Sequence, residues 1–146
     1  MKNMLQPITR AQIEALQREM IKYPQIEIAT SHYFSKGMYC REMRLPAGAL
    51  AVGKAHKAEH FFMIVDGVIK ITTDEGIQEI TGPRIFSSNP GVKRAALAIT
   101  DVTMITVHKT DITDLVEIEK EIIEEDSTAR LDSRNQIKKN LLENEV

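Results

Sequence analysis

The sequence predicts a mainly β fold, an antiparallel barrel or sandwich, with one helix ahead of it and a helical region behind it. Three observations carry that expectation. Between Met38 and His108, short apolar runs alternate with turn sequences: Pro46-Ala47-Gly48, Asp66-Gly67, Asp74-Glu75-Gly76, Gly82-Pro83 and Asn89-Pro90-Gly91. No stretch in that interval repeats its apolar residues at helical spacing, so strand–helix–strand units are not expected. So many short strands would also expose unpaired edges unless the sheet closes on itself.

Taken in order, Thr9 is placed to cap a helix, with Gln12 as its reciprocal partner. Ile13, Leu16 and Met20 recur at helical spacing, Glu14, Gln17 and Arg18 form the outer side, and Pro24 ends the run. Ile26–Ala29 is a short apolar patch and Ser31–Gly37 is polar and aromatic. Met38–Leu45 then reads as a strand, with Tyr39, Arg41, Met43 and Leu45 on one face and Cys40, Glu42 and Arg44 on the other. Charge on both faces places it at an edge or beside a cavity. Ala49–Gly53 is built of small residues that permit close packing. The run from His56 to Asp66 is apolar on both faces after His60, which predicts a strand between two layers, and Asp66-Gly67 reads as a hairpin turn. Val68–Thr72, Ile77–Ile80, Ile85–Phe86, Arg94–Thr100 and Val102–His108 supply further strands. From Asp111 the character changes. Ile112, Leu115, Val116, Ile118, Ile122 and Ile123 line one side of an acidic amphipathic helix, and Ser127 is placed to cap a second. The expected organisation is an arm and helix over 1–25, a β-barrel over 26–110 and an acidic helical region over 111–146.

Composition limits the function. The chain has 146 residues, enough for one domain, and 42% of them are hydrophobic. Nineteen basic residues against 21 acidic ones leave a net charge of −2, which gives no electrostatic case for nucleic-acid binding. The single cysteine, Cys40, cannot form an internal disulfide and fits a reducing, cytoplasmic setting. No signal peptide and no membrane-spanning run is expected.

The candidate chemistry centres on Ala47–Gly67. His56 and His60 share one face of an extended chain, either as a cavity pair that binds a metal or ligand or as two satisfied structural histidines. Gly48, His56, His60 and Gly67 together resemble the first motif of the cupin superfamily, which is a glycine, His-x-His, a glutamate and a closing glycine. Aligned on Gly67, His60 takes the glutamate position, His56 the second histidine and Lys54 the first. The stretch from Gly82-Pro83 to Asn89-Pro90-Gly91-Val92-Lys93-Arg94 resembles the second motif, with Arg94 where the third histidine would stand. The resemblance covers Met38–His108, about half the chain.

It implies a small jelly-roll barrel whose motif positions face an open cavity, often with a divalent metal (Fe, Mn, Ni or Zn) and often in a homo-oligomer. Here that set reads Lys54, His56, His60 and Arg94: two nitrogen ligands and two cations. Glu59 falls on the opposite face, while Glu42 and His108 are the further donors that neighbouring strands offer. Lys54 and Arg94, with Arg41, Tyr39 and Lys93 beside them, make an anion site the alternative to solvated rim cations. His32, Tyr33 and Tyr39 are candidates for proton transfer by residue type alone. The leading expectation is a cupin that has lost part of its metal set and binds a small anionic ligand or a protein partner. The alternative is a metal-dependent isomerase, lyase or dioxygenase that acts on a small carboxylate through His56 and His60. A DNA-binding regulator is not expected, because the N-terminal helix has no helix-turn-helix partner.

Overall fold

The computed structural model describes residues 8–126 and 129–138. The Thr9–Gln12 capping box forms: Gln12 N donates to Thr9 Oγ1 at 3.1 Å, and Thr9 N donates to Gln12 Oε1 at 2.8 Å. Helix α1 (Arg10–Met20) follows and buries Ile13. Gln17, expected on the outer side because it is polar, is instead buried, and its Nε2 donates to Asp126 Oδ2 at 3.2 Å. That amide bond lets a polar side chain sit under the helix at low cost.

Among the described residues nine strands follow: β1 (Ala29–Ser35), β2 (Met38–Leu45), β3 (Leu50–Val52), β4 (His60–Asp66), β5 (Val68–Thr73), β6 (Gly76–Thr81), β7 (Arg84–Ser88), β8 (Ala95–Ala98) and β9 (Val102–Lys109). They form two antiparallel sheets, β1-β2-β9-β4-β7 and β3-β8-β5-β6. One core joins them, with Leu45, Phe62, Ile64 and Met104 from the first sheet against Ile69, Ile71, Ala96 and Ala98 from the second. β1, unassigned from its polar and aromatic composition, forms because it pairs along its length with β2, from Ala29 opposite Arg44 to Ser35 opposite Met38. β4 departs from expectation in one respect. Phe62 and Ile64 enter the core, whereas Phe61 is 56% exposed and Val65 is also on the surface, so this strand has one buried face rather than two.

Within the described strands, β1–β2 and β5–β6 are hairpins inside one sheet, and the other connections pass from sheet to sheet. Asp66-Gly67 is therefore an inter-sheet corner and not the hairpin its composition predicts. A bulge at Val65 shifts the β4–β9 register just before it. Gly67 adopts φ +97°, and a Cβ there would lie 2.2 Å from the Asp101 carbonyl oxygen. The next corner stacks on the first, with Gly82 N donating to the Gly67 carbonyl at 2.9 Å.

The C-terminal region is less helical than the periodicity predicts. Helix α2 covers Leu115–Ile122, capped by Asp114, whose carboxylate accepts from Glu117 N at 3.0 Å. Ile123 turns extended because the chain finds other backbone partners: it forms a bridge with His56, and Glu124 N donates to the Ala55 carbonyl at 2.8 Å. Ser127 lies outside the described residues. The helix expected after it does not form over 129–138. There Asp132 Oδ1 accepts from Arg134 N and Gln136 N, Asn135 sits at φ +59°, and Leu131 bridges Ile137. This turn is tied to the first sheet, since Ile28 N donates to the Asn135 carbonyl at 3.0 Å and Asn135 Nδ2 donates to Thr30 Oγ1 at 2.8 Å. No helix of the described residues is long and apolar enough to cross a membrane.

The corner geometry is testable by chemical denaturation. Gly67→Ala should lose more than about 2 kcal/mol, combining left-handed backbone strain with a backbone clash. Gly48→Ala, at φ +86° but with open space around its Cβ, should lose about 1 kcal/mol. Equal losses would mean that the approach of Gly67 to Asp101 carries no weight.

Candidate functional site

Strand register lays out the inner face of the larger sheet in rows. Tyr39 pairs with His108, Arg41 with Thr106, Met43 with Met104 and Leu45 with Val102. On the other side of β9, Thr106 pairs with Phe62 and Met104 with Ile64, while β7 sets Ser88 opposite His60 and Phe86 opposite Phe62. Polarity therefore changes along the strands, from histidines and Ser88, through Arg41 and Thr106, to methionine and leucine. The second sheet repeats the gradient, with Arg94 just before β8 and Ala96 and Ala98 along it. Between the sheets lies a cavity of about 460 Å³, a volume suited to a small molecule.

His56, His60 and His108 come together at the polar end, although they are far apart in sequence. Their ring centroids are 4.1 Å apart for His56–His60 and 4.9 Å for the other two pairs. Burial is the main reason all three pKa values fall, with neighbouring cations adding to it. His56 drops to about 2 and His108 to about 3. His60 is lowered by burial and by both Arg94 and Arg41, against an opposing hydrogen bond to the Ala58 carbonyl at 3.2 Å. The three imidazoles are thus neutral near pH 7. His108 Nε2 lies 2.8 Å from Thr106 Oγ1, while His56 Nε2 is buried with no hydrogen-bond partner.

The cations divide into free and engaged. Arg41 faces the cavity from β2, its Nε is buried without a hydrogen-bond partner, and no carboxylate forms an ion pair with it among the described residues. Arg94 is clamped by the Thr72 carbonyl at 3.0 Å and Ser88 Oγ at 2.9 Å, and it lies over the Phe62 and Phe86 rings at 5.8 and 5.9 Å. Burial pulls both guanidiniums below their ordinary pKa. Lys54 also lines the cavity, but its ammonium pairs with Glu119 on α2 and donates to the Leu131 carbonyl at 2.9 Å. Lys93 is buried outside this cavity and pairs with Asp126 at 2.8 Å.

Other candidates fall elsewhere. Glu42 alternates away from Arg41 and pairs with Arg44. Tyr39 is buried against Ile118 and Ile122 of α2, stacks on His108 and lies 2.6 Å from His32 Nδ1, so the two proton-transfer candidates His32 and Tyr39 satisfy each other. Tyr33 is exposed. Ser88, Thr106 and the aromatic pair under Arg94 carry no signal in the sequence, because non-local register alone brings them to the site.

A jelly roll of two antiparallel sheets, with the motif residues Lys54, His56, His60 and Arg94 lining one inner cavity, decides the fold. This is a cupin fold. Similar solved structures include KdgF from a Halomonas species (TM-score 0.51, 12% identity, covering 63% of this chain and 87% of that one). An RmlC-like cupin from Shewanella frigidimarina gives a TM-score of 0.48 at 21% identity, over 58% of this chain and 84% of the other. An HTH_3 family transcriptional regulator from Vibrio cholerae gives 0.48 at 13% identity over 57% of this chain, which spans about half (51%) of the regulator's length. At these identities the likeness concerns the fold alone. No protein-family model matches the chain, and no curated protein does.

The three neutral imidazoles suit a divalent metal in number and type, and His56 Nε2 is buried with no hydrogen-bond partner. The rings are packed against one another, however, and no set of three or more His, Cys, Asp or Glu is positioned around a metal among the described residues.

The lowered histidine pKa values make stability depend on pH. The unfolded chain protonates these imidazoles near 6.5, whereas the folded chain resists until about 3 and about 2. Their contribution is therefore intact above pH 6.5 and is lost as pH falls toward the folded values. Relative to about pH 7.5, unfolding free energy at about pH 5.5 should drop by about 2–3 kcal/mol for His56 and His108 together. A His56→Asn/His108→Asn variant should lose most of that pH dependence in urea titrations. An unchanged slope would mean that both rings titrate normally.

Proposed function

We propose that this protein binds a small anion in its jelly-roll cavity, with Arg41 and Arg94 as the anchoring charges and His60, His56 and Thr106 as neutral hydrogen-bonding partners. The carrying observation is Arg41: a half-buried cation, its Nε fully buried and unpartnered, facing a cavity that no aspartate or glutamate lines among the described residues. A buried charge without a partner is costly, and a ligand anion is the partner this cavity can admit. Arg94 presents a guanidinium held by two hydrogen bonds and two rings, so a planar carboxylate or a phosphate meets a preformed fork. Lys54 is engaged by Glu119 and contributes field rather than a contact.

The same reading has a consequence for stability. Replacing Arg41 removes a charge that burial disfavours and that Glu119 offsets only through space, without an ion pair, so Arg41→Gln should raise unfolding free energy by about 1 kcal/mol or more while weakening anion binding at least tenfold. Calorimetric titration with carboxylates and inorganic phosphate, paired with urea denaturation, reads both effects. An Arg41→Gln protein that is less stable and binds anions as before would show that Arg41 is a structural residue.

A second reading, a metal-dependent cupin enzyme, draws on the unpartnered His56 Nε2 beside His60 and His108. To hold a metal those three rings would have to leave the packed arrangement described above; the metal would then supply Lewis-acid polarisation of a bound oxygen. Arg41 and Arg94 would then hold the substrate's negative charge. Metal analysis of the purified protein checks this: stoichiometric metal lost in a His56→Ala/His60→Ala variant supports it, and a folded wild type that takes up no Fe, Mn, Ni or Zn excludes it.

A further inference from the structure

The cavity is not uniformly polar, and its asymmetry selects among anions. Its polar end holds His56, His60, Ser88 and the two arginines, with His108 packed against the two histidine rings. This end is sealed by α2 and the following segment, through the His56–Ile123 bridge and the Lys54 bonds to Glu119 and Leu131. Along the strands the lining turns to Met43, Met104, Leu45, Ala96 and Ile71, none of which offers a side-chain hydrogen bond beyond a weak thioether. At the rim, Leu50 (39% exposed), Ile26 (47%) and Tyr23 line the cavity while facing solvent. Apolar side chains exposed at a cavity mouth mark a surface that a ligand covers.

From this gradient we infer that the ligand is an amphipathic monoanion: a single carboxylate or comparable head group carrying an unbranched or aryl apolar tail, bound head-first with the tail toward the rim. This rests on the anion-binding reading above and narrows it. The aligned rows set Arg41 with Thr106 beside the histidine row, with Arg94 facing the same cavity from the other sheet, and two successive apolar rows, Met43 with Met104 and Leu45 with Val102, beyond them. A polyhydroxylated acid would leave its hydroxyls unpaired against those layers, a penalty that an alkyl or aryl group avoids. A polyanion would place its further charges in the apolar half, where no cation answers them except Arg130 on the cavity wall. The stack of Phe62 and Phe86 beneath Arg94 adds an apolar floor directly under the head group.

The test is a calorimetric series with acetate, butyrate, hexanoate, octanoate and decanoate, the matching primary alcohols, gluconate and inorganic phosphate. Affinity should rise about fourfold per methylene, the factor that corresponds to about 0.8 kcal/mol for each CH₂ buried. It should level off once the tail passes the rim. The alcohols and gluconate should bind at least tenfold more weakly than the alkanoate of similar length. Leu50→Gln, on an exposed edge-strand position, should reduce the chain-length increment for the longer tails without altering acetate binding.

The failures are distinct. If phosphate, gluconate and acetate bind as tightly as octanoate, the amphipathic inference falls and the anion site stands. If alcohols match carboxylates along the series, the apolar channel stands and the anion reading falls. If octanoate and decanoate do not bind at millimolar concentration, the inference is overturned. A thermal-unfolding scan of Leu50→Gln beside wild type confirms that the comparison is made on folded protein.

Discussion

The site depends on the register between β2, β9 and β4. Side chains alternate across a sheet with period two, so a slip of one residue would turn Arg41, Thr106 and Phe62 out of the cavity and Glu42, Ile105 and Met63 into it. Several features oppose such a slip. Leu45 and Val102 pair at one end of the ladder and are both buried, so a shift would expose one of them. The corner at Gly67 approaches the Asp101 backbone where no Cβ fits, which fixes the turn into β9 relative to the end of β4. The bulge at Val65 absorbs the offset between them. The chemistry at the histidine end is thus held by packing and backbone contacts at the opposite end of the same strands.

Within that frame, charge compensation separates the cations that are paired from those that are not. Lys54, Lys93 and Arg10 are each matched to an acidic side chain from the region after β9, namely Glu119, Asp126 and Glu124. These pairs connect the C-terminal region to the sheets and α1. Arg41 and Arg94 have no such partner among the described residues, although burial already disfavours their charge. A fold selected for stability alone would place methionine or leucine at position 41, in line with Met43 and Leu45. An unpaired guanidinium instead is the kind of local inconsistency that marks a site.

Much of the fold was legible because its signals are local. The capping box at Thr9, the turn sequences and the alternation through Met38–Leu45 depend on neighbours in sequence, and those elements lie where the pattern puts them. Errors arose where tertiary partners decide. Gln17 is polar yet buried because Asp126 receives it, and α2 ends at Ile122 because Ala55 and His56 offer backbone partners. Asp66-Gly67 has hairpin composition, but the strands it joins belong to different sheets, which composition cannot encode. At the site, His56, His60, Lys54 and Arg94 share short motif stretches. The assembly of His108 with them, and the match of Ser88 to His60, is a product of register.

The engagement of Lys54 follows from what closes the polar end. Glu119 projects from α2, and the turn at Leu131 presents a carbonyl, so the ammonium is fastened between two elements that follow β9 in sequence. Were Lys54 free, the polar end would hold three cations around neutral histidines and would favour multiply charged ligands. With Lys54 neutralised by Glu119, two guanidiniums from the sheets remain, beside Arg130 on the cavity wall. One of them is oriented by Ser88 and Thr72, and the other has a buried, unsatisfied Nε. The segment that closes over the polar end therefore also sets its charge, and under the anion-binding reading proposed above that charge suits one small anionic head rather than a phosphate-rich ligand.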